Sequence, residues 1–317
     1  MTTTTEVSPT ETKKVKQRPG DRWFSGAALF AGSMILVMLA AVAIFLIVQS
    51  IPALTATNED ASILPDNFWS YVGPLVFGTV WAAALALLMA VPLSIGVALF
   101  ISHYAPRRLA QALGYVVDLL AAVPSVVFGL WGIGVLAPAV QPIYDWFVQN
   151  AGWFPLFSGP VSSTGRTIFT AAIVLAVMVT PIITAICREI FLQTPTLHEE
   201  AALALGSTRW EMVRMAVFPF ARSGIVSASM LGLGRALGET MAVAMVLSVS
   251  GGVTLALFTS NNPNTIAANI ALSFPEAYGV NVNVLIATGL ILFVVTFAVN
   301  ALARYIVSRR KEFSGAN

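Results

Sequence analysis

One cysteine, two histidines, four lysines and a charged fraction of only 10% stand out in this 317-residue sequence, and each scarcity excludes a class of chemistry. The lone thiol, Cys187, allows no intrachain disulfide and no thiolate metal centre, which needs several ligands. The segment His198-Glu199-Glu200-Ala201-Ala202 begins like a zinc-protease helix but has no second histidine. His103, the other imidazole, lies far away in sequence. None of Lys13, Lys14, Lys16 and Lys311 follows a glycine, so the Gly-Lys-Ser/Thr end of a phosphate-binding P-loop is missing and no ATP site is expected in this chain. With Lys+Arg 17 against Asp+Glu 15 the net charge is +2, too weak a field for a nucleic-acid partner. No cofactor and no metal are expected here.

Apolar residues are abundant. They make up 57% of the sequence even before glycine is counted, against roughly 45–50% with glycine for soluble domains, and mean hydropathy is +0.82. The chain is therefore expected to be an all-α polytopic membrane protein in a lipid bilayer. A bilayer core about 30 Å thick takes about 20 apolar residues of helix, and six intervals qualify: 26–49, 74–101, 109–137, 167–187, 224–247 and 283–306. The first is longer than the apolar region of a cleaved signal and follows a polar tail over 1–22, so it is expected to stay in the mature chain. Basic residues fall in that tail, at Arg107 and Arg108, between spans four and five (Arg188, Arg209, Arg214, Arg222) and at the C-terminal end. Acidic residues Glu59, Asp60, Asp66, Asp145 and Glu276 take the other side, together with Arg166. This bias places both termini in the cytoplasm. An outer loop from Pro138 to Gly165 is rich in Trp, Tyr and Phe, suited either to anchoring at headgroup depth or to docking an external partner.

The longest cytoplasmic connection, 194–219, reads as two short helices broken at Gly206. Pro195 suits a first helical turn; Thr196 with Glu199, and Thr208 with Glu211, fit capping boxes, and Pro219 ends the second helix. Leu197, Ala201, Ala204 and Leu205 share a small apolar face that fits a groove on another protein, the alternative being a loop lying on its own bundle.

Span five carries Arg235 and Glu239 about eleven residues inside. Each ion costs about 2.5–3.5 kcal/mol at a helix centre, so such side chains face a bundle interior or a wet path. Their i, i+4 spacing lets them meet on one helix face. Gly234 and Gly238 permit close backbone approach, and a guanidinium on that face is a planar donor fork for a small oxyanion; a buried pair that fixes packing is the alternative. In span three Pro124 interrupts the helix, freeing amides of the following half-helix, with Ser125 adding a hydroxyl. A kink used only for packing explains these two residues equally well.

Three segments resemble known families. Glu200-Ala201-Ala202, Gly206 and then Ala216-Val217-Phe218-Pro219 resemble the EAA motif of bacterial ABC-importer permeases, with Ala216 and Phe218 at places commonly filled by Ile and Leu. Gly234 to Thr240 and Val123 to Leu130 are similar to the Gly-Arg-Ala-x-Gly-Glu-Thr and Pro-Ser-Val-Val-aromatic-Gly-Leu stretches of the phosphate-specific (Pst) importer permeases, PstC-type. The likeness runs from about residue 70 to the end. It implies an ABC-importer permease (MetI-like) core over 67–310 behind a first helix and outer loop at 23–66, with a short cytoplasmic tail at 311–317. It also implies a coupling helix in which Glu200, Ala201, Ala202 and Gly206 seat on a separate ATPase, and a substrate pathway at Arg235, Glu239 and Ser125. The partners implied are a homologous PstA-type permease, PstB-type subunits that bind ATP and Mg, an extracytoplasmic PstS-type phosphate-binding protein and inorganic phosphate, in a bacterial plasma membrane. Left open beside it are a sister permease, a permease for sulfate or molybdate, and a self-sufficient anion channel or ion-coupled carrier.

Overall fold

The computed structural model describes residues 19–311, so the expected tails over 1–18 and 312–317 lie outside the described residues. The chain divides into two units, residues 1–48 and 49–317. The described part of the first is the beginning of helix α1 (Pro19–Thr55), uncharged after Arg22. All other elements belong to the second unit, in which the described residues form helices, turns and three isolated bridges but no strand.

Helix α2 (Phe68–Leu99) starts where Asn67 and Ser70 form a reciprocal capping box and runs on into a π-turn, Phe100–Tyr104. Its alanine face, Ala82, Ala83, Ala86 and Ala90, packs with Leu175, Val179 and Ile183 of α6 (Ile168–Leu192) in the principal core. Side chains this small let two helices approach closely, which is how membrane helices gain packing where apolar burial offers little. Helix α9 (Phe218–Leu237) packs on both α6 and α2. Gly232 of α9 meets Ile183 so closely that a Cβ there would overlap the isoleucine side chain. After α11 (Ile266–Ser273), the final helix, α12 (Val280–Lys311), is tied within the same unit to the end of α1 by Asn283, whose Nδ2 donates to the Gln49 carbonyl at 2.8 Å.

Among the described residues six helices are long and apolar enough to cross a membrane, and two differ from the expected intervals. The third was expected at 109–137. Instead α3 (Arg107–Ala121) is a separate amphipathic helix, and the apolar span is Ser125–Ala151, made of α4 (Ser125–Trp131), a π-turn at Gly132–Leu136 and α5 (Ala137–Ala151). Pro124 therefore lies before this span rather than within it. The physical reason is composition: α3 alternates polar and apolar faces, whereas uncharged sequence continues beyond Leu136 as far as Asp145. That carboxylate is accommodated inside α5, where Gln141 Nε2 donates to Asp145 Oδ2 at 2.7 Å. The fifth span was expected at 224–247 but runs Arg209–Leu237.

The aromatic outer loop is correspondingly shorter than its expected range of Pro138 to Gly165, because α5 absorbs its first half. Tyr144 is buried and stacks on Phe258 at 4.4 Å, and Phe157 stacks on the same ring at 5.1 Å. Part of the aromatic content thus packs into a buried cluster at one end of the bundle, while Trp153 remains 84% exposed.

Candidate functional site

The segment around Arg235 is a broken helix. A continuous run of α8 (Arg209–Met212), a π-turn (Val213–Val217) and α9 ends at Leu237, with Gly238 as C-cap donating its N–H to the Gly234 and Ala236 carbonyls. Three residues later α10 (Met241–Val246) begins. Glu239 is buried in the gap, and its Oε1 accepts from the Ala242 N–H at 3.1 Å. At the other end of α10 Arg166 donates to the carbonyls of Met245 at 3.0 Å and Val246 at 3.4 Å. A carboxylate at the start and a guanidinium at the end oppose the partial charges of the short helix.

This arrangement corrects the expectation that Arg235 and Glu239 pair along one helix face. The helix stops between them, and among the described residues no ion pair within 4.0 Å involves either. Arg235 occupies the last turn of α9, seventeen residues beyond Phe218 or about 26 Å along the axis. It opens on a cavity of about 690 Å³ together with Ser227, Gly234, Asn300 and Arg304. The sequence reading missed Asn300 and Arg304 as company for Arg235. Their i, i+4 spacing on α12 is the available signal, although a basic residue at the C-terminal end of the last span reads first as a charge that sets topology.

Ser125 opens α4 and is half-buried behind Pro124, which occupies the N-cap position without a side-chain cap. The break expected at this proline is present. α4 packs on α10, with Gly129 so near Ala242 and Met245 that a Cβ would be tight, and Gly132 of the following π-turn so near Val246 that a Cβ would overlap its side chain. The motif around Ser125 therefore packs on the short helix that directly follows the Arg235 motif. Ser125 makes no hydrogen bond to Arg235 or Glu239 among the described residues. Also unforeseen was Asn262, fully buried in the irregular stretch after α10: its Oδ1 accepts from the Ile168 N–H at 3.0 Å and its Nδ2 donates to the Ser248 carbonyl at 3.0 Å, latching that stretch onto the start of α6.

The connection 194–219 holds two helices broken at Gly206 as expected, but Pro219 does not end the second. The run from α8 continues through the π-turn at Val213–Val217 into α9, and Pro219 lies in the first turn of α9, where the π-turn just before it takes up the carbonyl its ring would otherwise meet. α7 (Thr196–Ala204) is followed by Leu205 and by Gly206 at φ +85°, whose N–H donates to the Leu203 carbonyl at 2.9 Å while the Ser207 N–H reaches Ala202 at 3.4 Å. These two bonds form a Schellman turn, and a left-handed residue there is what the glycine provides. Thr208 and Glu211 form the expected capping box at the start of α8. The first one does not form. Pro195 is the N-cap, Thr196 is already helical, and Glu199 instead lies 3.4 Å from His103 Nε2 at the end of α2's π-turn. Glu200, Ala201, Leu197 and Leu205 are exposed, Leu205 at 90%, whereas Ala202 packs against the core.

Six apolar helices among the described residues, an interrupted helix with an arginine in its last turn and an exposed apolar loop helix define a multi-pass transport permease. The chain belongs to the family of binding-protein-dependent transport system inner membrane components, whose model matches residues 90–312. Such a subunit resides in the inner membrane with several spans. The phosphate transport system permease protein PstC 2 of Mycobacterium tuberculosis is 49% identical over 300 residues, covering 91% of this chain and 92% of that relative. The corresponding PstC proteins of Mycobacterium leprae and Mesorhizobium japonicum are 44% and 41% identical, over 92% and 93% of this chain and 94% and 92% of their own lengths. Among solved structures, a bacterial ABC transporter involved in import of the acidic polysaccharide alginate shares the fold with a TM-score of 0.60 at 18% identity, over 91% of this chain and 96% of its own.

Proposed function

We propose that this chain is the PstC-type permease of an ATP-driven importer of inorganic phosphate. In this reading it lines the pathway with a homologous PstA-type permease and receives phosphate from a PstS-type binding protein. Ser125 and the Arg235–Glu239 segment belong to that pathway. PstB-type subunits bind ATP and Mg, hydrolyse the nucleotide and seat the coupling helix through Glu200, Ala201, Ala202 and Gly206, with both termini of this chain cytoplasmic. The assignment to phosphate is supported by the 49% identity to a phosphate permease over nine tenths of the chain. The observation that carries the mechanism is Arg235, whose guanidinium forms no ion pair among the described residues and opens on a cavity that Arg304 shares and no carboxylate lines.

An oxyanion entering there meets a planar donor fork and a second positive charge, and it loses the fork when the segment Gly238–Thr240 moves. Interrupted helices at such positions are where transporters bind and release substrate. Covalent chemistry plays no part. Uptake of labelled phosphate by the reconstituted assembly tests the proposal: sulfate and molybdate in excess leave uptake unchanged, and Arg235→Lys abolishes most of it. Competition by sulfate at equal concentration would reassign the substrate to another oxyanion.

A further inference from the structure

A second cluster of charge lies away from Arg235, at the end of the bundle that carries the 194–219 connection. The π-turn ending α2, the helix α3 and the last turns of α6 enclose a cavity of about 520 Å³ lined by Ser102, Arg107, Gln111, Tyr115, Asp118 and Arg188. Arg188 is under-partnered in its wall. Its Nε is buried without any hydrogen-bond acceptor, and Nη2 lies 4.0 Å from Asp118 Oδ2, beyond hydrogen-bond distance. The guanidinium rests on Gly114 of α3, where any Cβ would overlap Nη1. Gly114 thus leaves room for the fork to lie against α3 at the cavity edge. Arg107 adds a second permanent charge, so two guanidiniums face one half-exposed carboxylate. Ser102 is already engaged, with Oγ 2.7 Å from His103 Nδ1.

We infer that this cavity is an oxyanion site for a phosphate group, with Arg188 as its principal ligand, Arg107 as the outer one and Asp118 as the carboxylate an arriving anion displaces. Guanidinium forks match phosphate oxygens in number and direction, and an arginine short of acceptors gains most from supplying two. The same chemistry has two sources. One is the headgroup of an anionic phospholipid, which basic pockets at the cytoplasmic ends of membrane helices recognise; α3 exposes Leu109, Tyr115, Val116 and Leu119 beside the cavity, an apolar surface for acyl chains. The other is free phosphate. Neither source depends on Arg235 being the transport ligand.

The test uses the purified assembly with its partner subunits. Retention of phosphatidylglycerol against phosphatidylcholine is read by native mass spectrometry, and equilibrium binding of labelled inorganic phosphate is measured in parallel. The two arms identify the source. Arg188→Gln, and Gly114→Ala, which keeps the charge but displaces the fork, lower affinity for the bound species by about tenfold or more, as loss of charge-assisted hydrogen bonds predicts. Asp118→Asn removes the competitor and raises affinity several-fold, an effect that a merely structural Arg188–Asp118 pair would not give. Should Arg188→Gln fail to assemble, the opposite shifts of Gly114→Ala and Asp118→Asn decide. Unchanged binding of both probes across the variants, or weaker binding in Asp118→Asn, overturns the site.

Discussion

Arg235 and Glu239 are held by different parts of the broken helix, and their substitutions should separate cleanly. Arg235 sits among the last carbonyls of α9, where any cation is favoured by the helix dipole. Lysine retains that benefit, so Arg235→Lys is expected at normal membrane level and normal association with the ATPase. What it loses is the planar fork, and labelled-phosphate uptake should fall tenfold or more. Wild-type uptake by a well-assembled variant would remove the guanidinium from the pathway. Glu239 serves α10 through one carboxylate oxygen. Glu239→Gln keeps an acceptor there and should remain abundant, whereas Glu239→Ala strands the Ala242 amide at a cost of about 1–3 kcal/mol and should lower the membrane level. Quantitative immunoblotting of the two variants checks this ordering. Both charges were legible in the sequence as ions inside an apolar run. Their separation was not, because Gly234 and Gly238 read equally well as a close-packing pair and as the end of a helix.

At the scale of elements, the 194–219 connection shows how far local rules carry. Gly206 and the Thr208–Glu211 box depend on neighbours within five residues, and both were readable from spacing alone. The Thr196–Glu199 box obeyed the same rule and failed, since Glu199 found His103, 96 residues earlier in the chain. The third span failed for a different reason: the polar face of α3 and the uncharged run from Ala137 to Tyr144 are both in the sequence, but Pro138, Pro142 and the loop-like aromatics masked the continuation of the helix. The proposed coupling role of this connection rests on the turn at Gly206. At φ +85° alanine is strained by roughly 1–2 kcal/mol and a β-branched side chain by more. Open space surrounds the glycine, so the penalty is conformational rather than a clash. Gly206→Val should therefore reorient α7 relative to α8, lowering phosphate transported per ATP hydrolysed, with Gly206→Ala intermediate. An unchanged ratio in a stably assembled Gly206→Val complex would dissociate the turn from coupling.

For the whole molecule, orientation follows from where charge sits once the elements are in place. Arg107 and Arg108 open α3, Arg188 lies near the end of α6, and Arg209 and Arg214 lie in the run that begins with α8, at one set of helix ends. Glu59, Asp60 and Asp66 occupy the connection between α1 and α2, and Glu276 the turn before α12. Basic residues in short connections are retained on the cytoplasmic side, so the α1–α2 connection should face outward. Two features make this directly measurable. Ser62 is exposed in that connection, and the single native cysteine, Cys187, is buried and contributes little background. In intact cells an impermeant maleimide should modify Ser62→Cys and spare Ser308→Cys in the C-terminal part of α12, with both labelled after permeabilisation. Ser62 accepts a hydrogen bond from Asn281 at 3.1 Å, so an assembly check on that variant accompanies the labelling. The reverse pattern would invert the topology and, with it, place the 194–219 connection on the side away from ATP, which would end the coupling assignment together with the orientation.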